Sequence, residues 1–153
     1  MSTAAPNNQE FVFEKRPYLE DSSDEVVQAI RERVKILNDN VILLDDLPYN
    51  TPFSVEVLLD EVVRKREEAG MKRFCLILDL RGSNRPSAES RRKINEMFSD
   101  LCDDIIHMSY VTGRSTLLNT AIRFIMFQTQ LKSFSFDTDL EKAFESIKKT
   151  IHG

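Results

Sequence analysis

Tryptophan is absent from the 153 residues, glycine occurs four times, proline five times, and cysteine and histidine twice each. So little glycine and proline excludes a collagen-like repeat or a low-complexity linker and disfavours a turn-rich all-β chain. Cys75 and Cys102 cannot build a disulfide framework and lack zinc-knuckle spacing. Both lie in apolar surroundings and are expected as buried thiols. His107 lies inside an apolar run and is expected as a core or cross-strand residue, while His152 is penultimate; neither supports a Ser–His or Cys–His nucleophile pair. No set of carboxylates has metal-site character. No catalytic residue, metal ligand or cofactor is therefore assigned. No window approaches the roughly 20 apolar residues that span a bilayer. Residues 1–9 lack the basic and apolar regions of a secretory signal. The expectation is a cytoplasmic protein without membrane insertion.

What is present is the balance of a globular chain, with 41% apolar and 30% charged residues. Its 25 acidic and 21 basic side chains leave a net charge of −4. That acidity argues against nucleic acid as a partner, though it permits a local basic patch. The length suits one domain. Residues 1–10 are expected to be a disordered tail and residues 11–153 a single domain.

The order of elements is legible from periodicity and punctuation. Phe11-Val12-Phe13 is a candidate edge strand. The acidic, Ser-containing stretch Asp21 to Asp24 is placed to cap a helix near Glu25. Val26, Val27, Ile30, Val34 and Leu37 fit a helical face, yet Val34 to Leu37 also reads as a strand. A short helix followed by a hairpin of about 33–37 and 41–46 accommodates both, with Asn38-Asp39-Asn40 as its turn. Thr51 and Pro52 open a helix that Gly70 closes, with Phe53, Val57, Leu58 and Val62 on one face. Glu56, Asp60, Arg64 and Glu67 lie on the other. Phe74 to Leu78 is an almost uninterrupted apolar run, expected as a central strand covered on both faces. A helix over about 87–100 follows, with Ile94, Met97, Phe98 and Leu101 inward, then a strand over 105–111. Ser115 or Thr116 opens a helix to about Gln128, and Phe134-Ser135-Phe136 is a short strand. Thr138 and Glu141 form a capping box before Leu140, Ala143, Phe144, Ile147 and Ile151. This alternation predicts an α/β fold with a four- to five-stranded mixed, mostly parallel sheet.

Sites in such sheets lie in loops beyond the carboxyl ends of the strands. Two loops stand out: residues 79–87, after the central strand, and residues 112–116, after the next. Both combine Gly, hydroxyls and Arg just before a helix N-terminus, where free N–H groups and the dipole favour an anion. Residues 81–93 hold Arg81, Arg85, Arg91, Arg92 and Lys93 against Glu89 alone. The candidate partner- or anion-binding residues are Arg81, Ser83, Asn84, Arg85, Ser87, Arg92, Arg114 and Ser115. Ordinary loop and cap duty, a protein-contact surface and a small-anion site all fit these residues. Neither loop matches a Walker or dinucleotide fingerprint. Asp79 is expected to cap the turn that follows it. In the helix over 115–128, Leu117, Leu118, Ala121, Ile122 and Ile125 are expected toward the sheet. Phe124, Met126 and Phe127 extend the apolar stripe, so the helix is either covered by a neighbouring element or used for a homodimer or partner contact.

From about Val34 to Ile151 the chain resembles the STAS / SpoIIAA-like domain of anti-sigma factor antagonists. The resemblance is carried by the Asn38-Asp39-Asn40 turn, the Thr51-Pro52 helix start, the Leu76-Ile77-Leu78-Asp79-Leu80-Arg81-Gly82 strand-to-loop segment and the closing Phe136 to Phe144 stretch. It implies a non-enzymatic regulatory or scaffolding module that binds a protein partner through the loop-helix after the central strand. A domain binding an anionic metabolite or lipid headgroup at the same loops is the alternative. The family's antagonists are phosphorylated on a Ser at this helix start, within Asp-Ser-Ser-Gly. Counting from Asp79, that Asp falls on Ser87 and the two serines on Ala88 and Glu89. A shifted site at Ser83, Ser87 or Ser90 is what the resemblance leaves.

Overall fold

In the computed structural model five strands lie side by side in chain order, and residues 23–38, 40–115, 117, 119, 120, 122, 131 and 133–152 are described. The elements are α1 (Asp24–Arg31), β1 (Val34–Asn38), β2 (Val41–Asp45), α2 (Pro52–Glu68), β3 (Phe74–Asp79), α3 (Ala88–Leu101), a 3-10 turn (Cys102–Asp104), β4 (Ile105–Val111), β5 (Phe134–Asp137) and α4 (Leu140–His152). β1 pairs antiparallel with β2, and the remaining neighbours are parallel. The fold is thus α/β with one five-stranded mixed sheet. The tail, the Phe11–Phe13 strand and most of the expected 115–128 helix, including the aromatic stripe, lie outside the described residues.

Local chemistry explains most boundaries. Ser23 caps α1 through Val26 N, ahead of Asp24 and Glu25 at the positive end of the helix dipole. Thr51 and Ser54 cap α2 reciprocally, with Pro52 in the first turn. Gly70 has φ +69°, a left-handed conformation that closes the helix without a Cβ penalty. Asn38 Oδ1 accepts from Asn40 N to tighten the hairpin turn. At α4 the cap is one residue later than expected: Asp139, not Thr138, accepts from Lys142 N at 2.9 Å.

The pleat divides the interior in two. Ile42, Leu44, Leu76, Leu78, Met108 and Tyr110 point to the face covered by α1, α2 and α3. Val41, Leu43, Cys75, Ile77 and Val111 point to the other, where Ala143 and Ile147 of α4 meet them. Period-two alternation on a sheet covered on both faces makes every residue of β3 from Phe74 to Leu78 buried.

Several side chains depart from the sequence expectation. The inner face of α2 is Val55, Leu58, Leu59 and Val62, while Phe53 and Val57 are half-buried. Glu61 is also inside, sealed by Arg64 at 2.6 Å, Lys65 at 3.3 Å and Arg31 of α1 at 4.0 Å. Burial pushes its carboxyl up, but these bases outweigh it and hold the group below its usual range. Cys102 is only half-buried, because it stands in the exposed 3-10 turn; Cys75 is fully buried, which pushes its thiol up. Leu117 is exposed while Ile122 is buried. Five residues apart on a helix they point roughly 140° from one another, so both cannot face the sheet. Ile151, in the last turn of α4, is exposed.

Candidate functional site

Parallel register brings the carboxyl ends of the strands level, pairing Asp45 with Asp79, Asp79 with Val111, and Val111 with Asp137. The 79–87 and 112–116 loops leave this edge side by side. Gly113, at φ +64°, lies against the Arg81 stem, where a methyl group would stand 3.8 Å from Cγ.

The first loop is pinned. Arg81 grips Asp79 with both arms of its fork, Nε to Oδ1 at 2.9 Å and a terminal nitrogen to Oδ2 at 2.8 Å. Asp79 also accepts from Arg81 N and so caps the turn. Burial raises the Asp79 carboxyl, yet the Arg81 hydrogen bonds and charge prevail and hold it below the ordinary range. Ser83 Oγ donates to Asp46 at 2.8 Å, and Asn84 donates twice to the Pro48 carbonyl. Asn50 holds the other Asp46 oxygen at 2.8 Å. Burial nevertheless raises the Asp46 carboxyl above its usual value.

Ser87 is the exposed N-cap of α3; its Oγ accepts from Ser90 N and donates to Ser90 Oγ, both at 3.1 Å. Ser90 is fully buried against the Asn50 carbonyl, which closes it to modification in the folded chain. A phosphate on Ser83 would face the Asp46 carboxyl. On Ser87 it would meet free N–H groups at the head of α3. Replacing Ser87 by Ala is expected to cost about 1 kcal/mol in urea unfolding, whereas Ser87→Asp, which keeps an acceptor, should stay within about 0.5 kcal/mol of the parent.

The five-base run does not act as one patch. Arg81 is occupied by Asp79, and Lys93 pairs with Glu56 of α2 at 2.8 Å. Arg85, Arg92 and Arg114 are exposed, and their side chains make no ion pair or hydrogen bond among the described residues. Ser115 is exposed, and its carbonyl accepts from Asn119 N.

A polar chain on the α4 face escaped the sequence reading. Ser109 and Ser135 both donate to Asp137 Oδ2, and Ser146 of α4 donates to Oδ1. Because Ser135 spends its proton on Asp137, its oxygen accepts from His107 Nε2 at 2.9 Å. Nδ1 is then the acceptor for Ser133 Oγ at 2.7 Å; Thr150 Oγ1 lies 3.2 Å from it but donates its proton to the Ser146 carbonyl. His107 is thus a neutral cross-strand residue, as its apolar strand suggested. Burial lowers its pKa despite the nearby Asp137 charge. A histidine harder to protonate folded than unfolded contributes stability above about pH 6.5 that is lost as the pH falls below it. The melting temperature is therefore expected to drop between pH 7.5 and 5. In His107→Gln the part of that drop due to this residue should vanish.

Among the described residues, no cluster of three or more His, Cys, Asp or Glu is arranged to hold a metal ion, and no helix is long and apolar enough to cross a membrane. Comparison of the chain with protein-family models, curated proteins and solved structures gives no match.

Proposed function

We propose that the chain is a STAS-like, non-enzymatic regulatory or scaffolding module that binds an acidic surface of a protein partner at the carboxyl edge of its sheet. One observation carries this reading. The loop between β3 and α3 is held rigid by Asp79–Arg81, Ser83–Asp46 and Asn84–Pro48, while Arg85, Arg92 and Arg114 stand exposed beside it without partners among the described residues. A preformed loop loses little conformational freedom on docking, and exposed arginines supply the forked donors that carboxylates accept. A small-anion site at these loops is less favoured, since the fork nearest the strand end is already closed on Asp79.

The test is capture of partners from cells that express the protein, comparing the parent with Arg85→Glu/Arg92→Glu/Arg114→Glu. Specific partners should be released by about 0.5 M salt and lost at least ten-fold in the triple variant, with circular dichroism unchanged. A captured set that survives both the charge reversal and the salt overturns the proposal.

A further inference from the structure

Beneath the pinned loop, between the sheet and the α2–α3 layer, lies a partly open cavity of about 90 Å³. Leu44, Leu59, Leu78, Ile94 and Phe98 form much of its wall, and Asp46, Asn50 and Ser83 also border it. Protein cores seldom leave such a space, because interiors pack as densely as organic crystals. A second observation concerns Tyr110, another wall residue. It is 5% exposed, its ring stacks on Phe136, and its hydroxyl makes no hydrogen bond among the described residues. The polar groups at the border do not supply one, since Asp46 is engaged by Asn50 and Ser83.

We propose that this cavity binds a small, uncharged, mainly apolar molecule the size of a single ring, whose one oxygen accepts a hydrogen bond from Tyr110. The apolar wall excludes charged metabolites, which would be desolvated without a counter-ion. A dry cavity of about 150 Å³ accepts benzene, so one of about 90 Å³ sets a single ring as the upper limit of size. The site differs in chemistry and place from the arginine surface above it, and it stands whether or not that surface binds a protein.

Phenol and toluene, nearly equal in shape and differing in one hydroxyl, are the probes. With the full chain, saturation-transfer NMR and thermal shift should give saturable binding of both, phenol about ten-fold tighter, as one satisfied hydrogen bond would produce. Tyr110→Phe should bring the two affinities within about two-fold by weakening phenol alone. Leu59→Phe should abolish both by filling the space, and Ile94→Phe serves the same purpose should the first fail to fold. The Arg85/Arg92/Arg114 charge-reversal variant should bind both probes like the parent, which separates this site from the partner surface. Failure of both probes to saturate by about 10 mM overturns the proposal. So does a phenol preference that survives Tyr110→Phe, or unaltered binding in a folded, filled variant.

Discussion

Phe74→Ala is expected to lower the free energy of unfolding by about 3–5 kcal/mol, a large part of the roughly 5–15 kcal/mol that holds an ordinary domain together. Phe74 is fully buried at the start of β3, in the larger of the two cores. The Arg66 guanidinium lies over its ring, 5.3 Å from the centroid. Arg66 is itself held by Asp104 at 2.8 Å and by the carbonyls of Met71 and Lys72. With its lid tied at three points, the space left by the ring cannot easily collapse, and the cation–π attraction is lost as well. Phe74→Leu, which keeps most of the volume, should cost about 1–2 kcal/mol. The urea midpoint measured at unchanged m-value reads both effects. A loss below about 1.5 kcal/mol for the alanine variant would show that the lid follows the cavity inward.

Asp137→Ala should follow, at about 3 kcal/mol. Three hydroxyls donate to this carboxylate, Ser109 from β4, Ser135 from β5 and Ser146 from α4. Ser109 is fully buried, so its hydroxyl has no water to turn to when the acceptor is removed. An orphaned buried donor costs more than the hydrogen bond contributed. Ser135 loses the acceptor that orients it toward His107, so the disturbance passes along the chain of contacts to Ser133. Asp137→Asn keeps one acceptor oxygen and should cost about half as much. The three contacts form one network, so the Ser109→Ala/Asp137→Ala double variant should be less unstable than the sum of the single changes. Additive losses would mean that the hydroxyls act independently of Asp137. Burial of His107, against the opposing charge of Asp137, is the source of the acid sensitivity expected from it, which separates its effect from the apolar loss at Phe74.

The two variants mark different depths of legibility. Phe74 stood out as the head of an apolar run, and the run alone identified a strand buried on both faces. The importance of Asp137 was invisible, because its partners Ser109 and Ser146 come from elements before and after it. The same division runs through the candidate site. Arg81, Ser83 and Arg85 were recognisable as loop residues rich in donors, but Arg81 and Ser83 find their acceptors within the fold, in Asp79 and Asp46. Asp46 follows directly on Asp45, the last residue of β2 and the register partner of Asp79, and that place just beyond a strand end was the available signal for it.

The sequence by itself determined the elements, their order and most of their ends, because caps, turns and periodicity act over three or four residues. Thr51, Ser87 and Gly70 needed no distant neighbour to do their work. Only the tertiary structure decided which charges remain exposed, since Lys93 finds Glu56 on another helix and Arg81 turns back onto its own strand. It likewise decided that Glu61 lies inside, that His107 joins hydroxyls from two later elements, and that Tyr110 borders a cavity without a hydrogen-bond partner among the described residues. Residues far apart in the chain meet only when the sheet is assembled, and the net charge of −4 records none of those meetings.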